Sequence, residues 1–190
     1  MSGFLFIFAL LFNPLKVLRM AKFIKIRTQV LLDAGTDGTG TESKLTVAST
    51  ASFSVGDIVH NTADNTFATI TAIDSATVAS ISADIMDAAE TYSVYSATQY
   101  VDKPVLAEGV ALVKRSAANN YNTTITYTAG STDADVVTIL HQPVASAYVT
   151  TVEQAIDNAV LDAHANGNRP DVAKLVSMPT GISALAVTIG

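Results

Sequence analysis

The sequence contains no cysteine, which removes disulfides and thiolate metal centres from consideration. Tryptophan is absent as well, and charged residues form only 15% of the 190-residue chain, against a usual ~25%. Few side chains can therefore titrate, coordinate or attack. Cations are the scarcer sign: 11 Lys and Arg face 17 Asp and Glu, for a net charge of −6. A nucleic-acid partner needs a clustered cationic surface, so none is expected. Much of what remains is Ala, Thr, Ser and Val, small and often β-branched residues that fit pleated surfaces and lose little side-chain entropy when ordered. A chain of this length holds one large domain or two small ones and buries roughly 70% of its unfolded surface, enough for a core without staples.

Long hydrophobic runs are also missing. The longest is the block at residues 4–12, and Asn13, Pro14 and Lys16 interrupt it well short of the roughly 20 apolar residues a membrane-spanning helix needs. A secretory signal carries its positive charge before the apolar block, whereas here Lys16, Arg19 and Lys22 follow it. A third reading places the start of translation at Met20. Four of the seven Phe precede residue 13, so composition breaks sharply there. Residues 1–21 are accordingly set apart as an atypical apolar segment, and a membrane role is not expected.

From residue 23 the pattern becomes that of strands. Residues 23–32 alternate with period two, and a Gly/Thr/Asp-rich run at 33–42 reads as a flexible loop. Its Gly35-x-x-Gly38-x-Gly40 spacing is not a dinucleotide fingerprint. Short strands are expected at 44–47, 57–60, 66–73, 76–81 and 91–95, separated by turns. Gly56 and Asp57 form the turn that starts one strand, and Asp74 and Ser75 form the turn of the strongest hairpin in the chain. Strands this short and this closely spaced predict a small antiparallel β-barrel or sandwich over residues 22–97.

The second half, 98–190, is expected to be an α+β unit. Strands are read at 105–113, 121–128 and 134–141, with a turn at Asn119-Asn120. Thr150 and Glu153 fit a capping box, and Val152, Ala155, Ile156, Ala159, Val160 and Ala163 follow helical spacing. Asn166-Gly167-Asn168 and Pro170 end that helix, and strands at 172–177 and 182–189 complete the unit. The fold class is thus mainly β with an α+β C-terminal part: a small barrel or sandwich, then a sheet packed by one amphipathic helix.

The string Phe53-Ser54-Val55-Gly56-Asp57-Ile58-Val59-His60-Asn61-Thr62, with Ala68 to Thr77 and Ser82-Ala83-Asp84-Ile85-Met86, resembles a small β-barrel module of tailed-bacteriophage structural proteins. Across the chain, the extended start at Met20 to Lys25, the tract Asn122-Thr123-Thr124-Ile125, the single helix and the final run from Gly181 to Ile189 are similar to small virion proteins of marine, cyanophage-like phages. The resemblance implies a non-catalytic structural subunit of the virion, assembled in the bacterial host cytoplasm. It also implies contacts with copies of itself, as a homo-oligomer, and with other virion proteins such as the major capsid protein. A capsid accessory or decoration role comes first. The alternative is a tail-associated module that contacts host glycans, for which Tyr92, Tyr95 and Tyr100 are the only local aromatic cluster.

No catalytic, cofactor or metal residues are expected. His60, His141 and His164 lie in separate elements, and no Ser sits in a nucleophile elbow. Asp133-x-Asp135 and Asp162-x-His164 lack the spacing of a known cation loop. One feature suggests contact chemistry. Lys22, Lys25 and Arg27, read as lying on one side of the first strand, could form an arm against an acidic neighbouring subunit; the plainer reading is a charged strand that resists stray pairing.

Overall fold

The computed structural model describes residues 22–116, 119–128, 136–143, 149–165 and 173–190. The chain runs β1 (Phe23–Thr36), β2 (Lys44–Thr46), β3 (Ile58–Asn61), β4 (Thr66–Ile73), β5 (Val78–Ile81), β6 (Thr91–Leu106), β7 (Val110–Arg115), β8 (Asn122–Tyr127) and β9 (Val136–His141). Helix α1 (Val149–Ala165), β10 (Lys174–Leu175) and β11 (Ala184–Ile189) follow. The expected class holds: a mainly β chain with one packed helix. The strands form one curled sheet in the order β2-β5-β4-β3-β6-β1-β11-β9-β8-β7, with β10 also beside β1.

Two strands hold this sheet together because they outrun their expected lengths. β1 continues through Asp33–Thr36, residues expected in a loop, because they pair with Thr91–Val94 of β6. β6 itself runs through Leu106 rather than ending at Tyr95. At about 3.3 Å per residue, 14-residue β1 spans about 46 Å, longer than a small barrel requires. Its first half faces one core and its second half another. Ile24 and Ile26 join Ile125, Ile139 and the helix, while Leu32 packs against Leu45, Val59, Ile70 and Val94.

β6 passes between these cores through a bulge. Pairing with β1 jumps from Gln29↔Tyr100 to Leu31↔Tyr95, leaving residues 96–99 outside the ladder. Their amides find other acceptors: Ala97 N–H donates to Asp57 Oδ1 (2.8 Å), and Thr98 and Gln99 N–H donate to Ser96 Oγ. The Gln29 amide, with its nitrogen oriented toward them, donates to the carbonyls of Ser96 (2.7 Å) and Gln99 (3.0 Å). The boundary expected at residue 97 falls in this bulge, inside a continuous strand.

The N-terminal half curls until β2 returns to the end of β1. Gly38 N–H donates to Thr46 O (3.2 Å), and Thr46 N–H donates to Asp37 Oδ1 (2.7 Å). The result is barrel-like, with Leu45, Val59, Ala68, Ile70 and Val94 inside. In the C-terminal half, α1 fills the concave face. Val152, Ile156, Ala159 and Val160 are buried in its core, and Ala155 and Ala163 pack beside them. The helical spacing read from the sequence selected this face.

Several local expectations change. α1 begins at Val149, so Thr150 lies within the helix rather than at its cap, and the Glu153 carboxylate accepts from the Arg115 backbone N–H of β7. The Asp74-Ser75 hairpin uses residues 74–77, since Ser75 Oγ accepts from the N–H groups of Thr77 and Val78 and delays β5 until Val78. β10 is two residues long, with Lys174 and Leu175 paired to Ile24 and Lys25 of β1, and Val176 N–H adds a bond to Lys25 O (2.9 Å). The expected helix stop at residues 166–170, Asp133, Asp135 and the segment 1–21 lie outside the described residues.

A third, smaller cluster joins the halves. Ile58 and Tyr95 on the outer side of the barrel meet Leu185 of β11, with Phe67 and Leu140 packed against them. This seam is apolar.

Candidate functional site

The turn residues singled out in the sequence are structural in their contacts. Gly56 adopts φ +97°, a conformation costly for a side chain, and lets its N–H reach Ile70 O (2.8 Å). Asp57 then turns back, its carboxylate accepting from Ser54 N–H (2.7 Å) as well as Ala97 N–H. It is 2% exposed. Asp74 instead stays at the surface, binding Lys44 Nζ (2.7 Å) and Ser80 Oγ (2.7 Å), and these bonds hold its carboxyl below the usual carboxylate range.

Asp37 was hidden in the run read as a flexible loop. Its buried carboxylate accepts from Gly40 N–H (2.8 Å) and Thr46 N–H, fastening that loop to the rim of the barrel. The available signal was Asp37-Gly38-x-Gly40, a turn-forming triplet whose side-chain acceptor can satisfy nearby backbone donors.

The basic arm divides. Lys25 and Arg27 face outward from β1, but Lys22 precedes the strand and its Nζ donates to His164 O (2.8 Å) near the C-terminus of α1. A period-two ladder cannot place Lys22 and Lys25 on one side, because they are three positions apart. At a helix C-terminus, a cation also meets the negative end of the dipole. Arg27 Nε donates to Asp102 Oδ1 (2.9 Å), and its guanidinium lies 5.4 Å from the centre of the Tyr100 ring. The bond to Arg27 keeps the Asp102 carboxyl below the usual range, with a smaller pull from Lys25.

Cross-strand pairing assembles these outward residues into a surface. Phe23 lies opposite Leu106, Lys25 opposite Pro104 and Leu175, and Arg27 opposite Asp102. The helix covers the other side of this three-strand region, where Ile24, Val105 and Val176 are buried. On the uncovered side Phe23 is 40% exposed and Tyr100 54%, with Leu106 and Leu175 slightly less so. A solvated sheet face ordinarily alternates to polar residues; this one presents aromatic and aliphatic groups around Lys25 and the Arg27–Asp102 ion pair.

The two ends of the sheet are guarded. Asp37 occupies the Thr46 N–H on the free side of β2, and Glu153 occupies the Arg115 N–H on the free side of β7. Carboxylates at these donors leave less of each edge for another strand to add to.

The three histidines serve separate environments. His164 Nε2–H donates to Ala107 O (3.0 Å). Buried His141 donates from Nδ1 to Gln142 O (2.7 Å), which leaves Nε2 to accept from Thr123 Oγ1 (3.1 Å) in the neutral ring. Burial holds its pKa below the ordinary value. Among the described residues no three metal-ligating side chains come together. The three tyrosines also separate: Tyr92 is inside the barrel with its hydroxyl on Asp33 (2.9 Å), Tyr95 is in the seam, and only Tyr100 is exposed. Between α1 and β10 lies an open cleft of about 450 Å³, whose Lys174 and Asp162 join across it at 3.0 Å. No helix among the described residues is long and apolar enough to cross a membrane.

Comparison with protein-family models, with curated proteins and with solved structures found no match.

Proposed function

We propose that this chain is a structural, non-catalytic subunit of a tailed-phage virion, an accessory or decoration protein that works by fitting against neighbouring subunits. The observation that carries the proposal is the uncovered face of β1, β6 and β10, where Phe23, Leu106, Leu175 and Tyr100 surround Lys25 and Arg27. Arg27 is paired with Asp102 on this face, so the patch is apolar with a small net positive charge, which suits a partner surface that is itself apolar and weakly acidic. With carboxylates on both sheet edges, association by face fits this chain better than association by strand addition. Copies of the chain and the major capsid protein are the proposed partners. A glycan-binding tail role draws less support, since Tyr92 and Tyr95 are buried and only Tyr100 of the three is exposed.

The test has two parts. Mass spectrometry of particles of the encoding phage should find the chain in many copies; particles that lack it refute the virion role. The double variant Phe23→Ser with Lys25→Glu should fold as the parent by circular dichroism yet fail to join particles. Undiminished incorporation would mean that the contact lies elsewhere.

A further inference from the structure

His60 is 5% exposed, and neither ring nitrogen has a hydrogen-bond partner. Buried polar atoms without partners are uncommon and costly, so this one calls for a physical account. Its position gives it. Strand β3 alternates: Val59 and Asn61 point into the barrel, while Ile58 and His60 point out. His60 would therefore stand on an exposed outer face, were it not for the C-terminal half lying over it. Its ring stacks on Phe67 (4.4 Å, 9° between planes), Phe67 meets Tyr121 (5.9 Å), and Leu140 and Leu185 complete the cover beside Ile58 and Tyr95. Every one of these seam contacts is apolar or aromatic.

We propose that His60 is an acid-sensitive latch on the seam between the two halves of the chain. While the seam is closed the ring sits buried and neutral, where the Asn65 amide offsets the loss of water to a protonated ring only in part. Opening the seam returns it to water, where it titrates near the ordinary value of about 6.5. Ser93 lies opposite it across the β6 pairing and the Asn65 amide reaches it from the β3–β4 turn, while Tyr121 lies behind Phe67 and Tyr95 belongs to the seam cluster. No carboxylate contributes to its titration. Burial lowers the closed-state pKa, and Asn65 opposes this only in part.

The sign follows. Below about pH 6.5 the open form binds the proton and the closed form does not, so acid favours opening. The open-to-closed ratio rises by up to tenfold per pH unit until the closed-state pKa is reached. Above pH 7 neither form is protonated and the seam is insensitive to pH. His141 differs, because the Thr123 hydroxyl can rotate to accept from a protonated Nε2.

The absence of cysteine makes a clean probe available. Leu185→Cys places a thiol in the seam, and Ile139→Cys places one in the core under the helix. The rate at which a disulfide reagent active in mild acid modifies each thiol is divided by its rate in the urea-unfolded chain at the same pH. The seam probe should accelerate by up to tenfold per unit between about pH 6.5 and 5, and the core probe should lag behind it. In the His60→Phe background, which keeps the stack without the titration, the seam rate should be flat; His60→Gln serves if the Phe variant does not fold. A flat profile with His60 present overturns the proposal. So does an unchanged rise without His60, or equal acceleration of both probes, which would signal global unfolding.

Discussion

Replacing Asp57 with Ala tests whether the barrel rests on a buried carboxylate. The side chain is 2% exposed and accepts two backbone bonds, from Ser54 at 2.7 Å and from Ala97 at 2.8 Å. Alanine removes two charge-assisted bonds to part-buried donors, at about 1.5–3 kcal/mol each, so the expected loss is about 4 kcal/mol within a range of about 3–6. Against a usual domain stability of about 5–15 kcal/mol this is a large fraction. With a urea dependence of about 2 kcal/mol per molar, the midpoint should fall by about 2 M, read by far-ultraviolet circular dichroism at 25 °C. Asp57→Asn keeps one acceptor oxygen and should fall between the two. A loss below about 1 kcal/mol in the alanine variant would refute the reasoning, because it would mean that water reaches the freed donors. The Ala97 donor lies in the β6 bulge, so the same substitution should also loosen the passage between the two cores.

Gly40→Ala should destabilise by about 2–3 kcal/mol or more by the same assay, since Gly40 has φ +56° and an added Cβ would lie 2.1 Å from the Ala88 nitrogen; a change within 0.5 kcal/mol would show that the loop shifts freely. Glu153→Ala exposes the Arg115 N–H at the β7 edge. It should cost about 1–2 kcal/mol and produce concentration-dependent dimers or larger species in sedimentation velocity, whereas an unchanged distribution would remove the edge-guarding role.

Much of the local structure was legible because it depends on residues close in sequence. β4 was expected at 66–73 and lies there, since Thr66–Ile73 alternates cleanly between turn-forming neighbours. The helical face of α1 was legible for a similar reason: Val152, Ile156, Ala159 and Val160 repeat with the period of one side of a helix. The ends of β1 and β6 were not. Asp33–Thr36 carries Gly, Thr and Asp and looks like a loop until Thr91–Val94 supplies its pairing partner. Glu153 has the spacing of a capping residue, yet a donor from β7, 38 positions away, takes its carboxylate.

The candidate surface divides in the same way. Lys25 and Arg27 could be assigned to the outward side of a strand by period alone, and the two acidic turns were marked by Gly56-Asp57 and Asp74-Ser75. Phe23, Leu106 and Leu175 became one patch only through cross-strand register, because their chain separation of 69 or more residues leaves no local trace. Lys22 and His60 show the limit most directly. Whether a lysine caps a helix 142 residues away, or a histidine on an outward-facing position ends up dry, depends on what folds over it. Residue order dictates which segments extend, which one coils and which faces are apolar, since those follow from backbone sterics and residue periodicity. Which faces are covered and which polar atoms find partners depends on the folded arrangement, since burial and hydrogen bonding belong to pairs of segments that the chain order does not bring together.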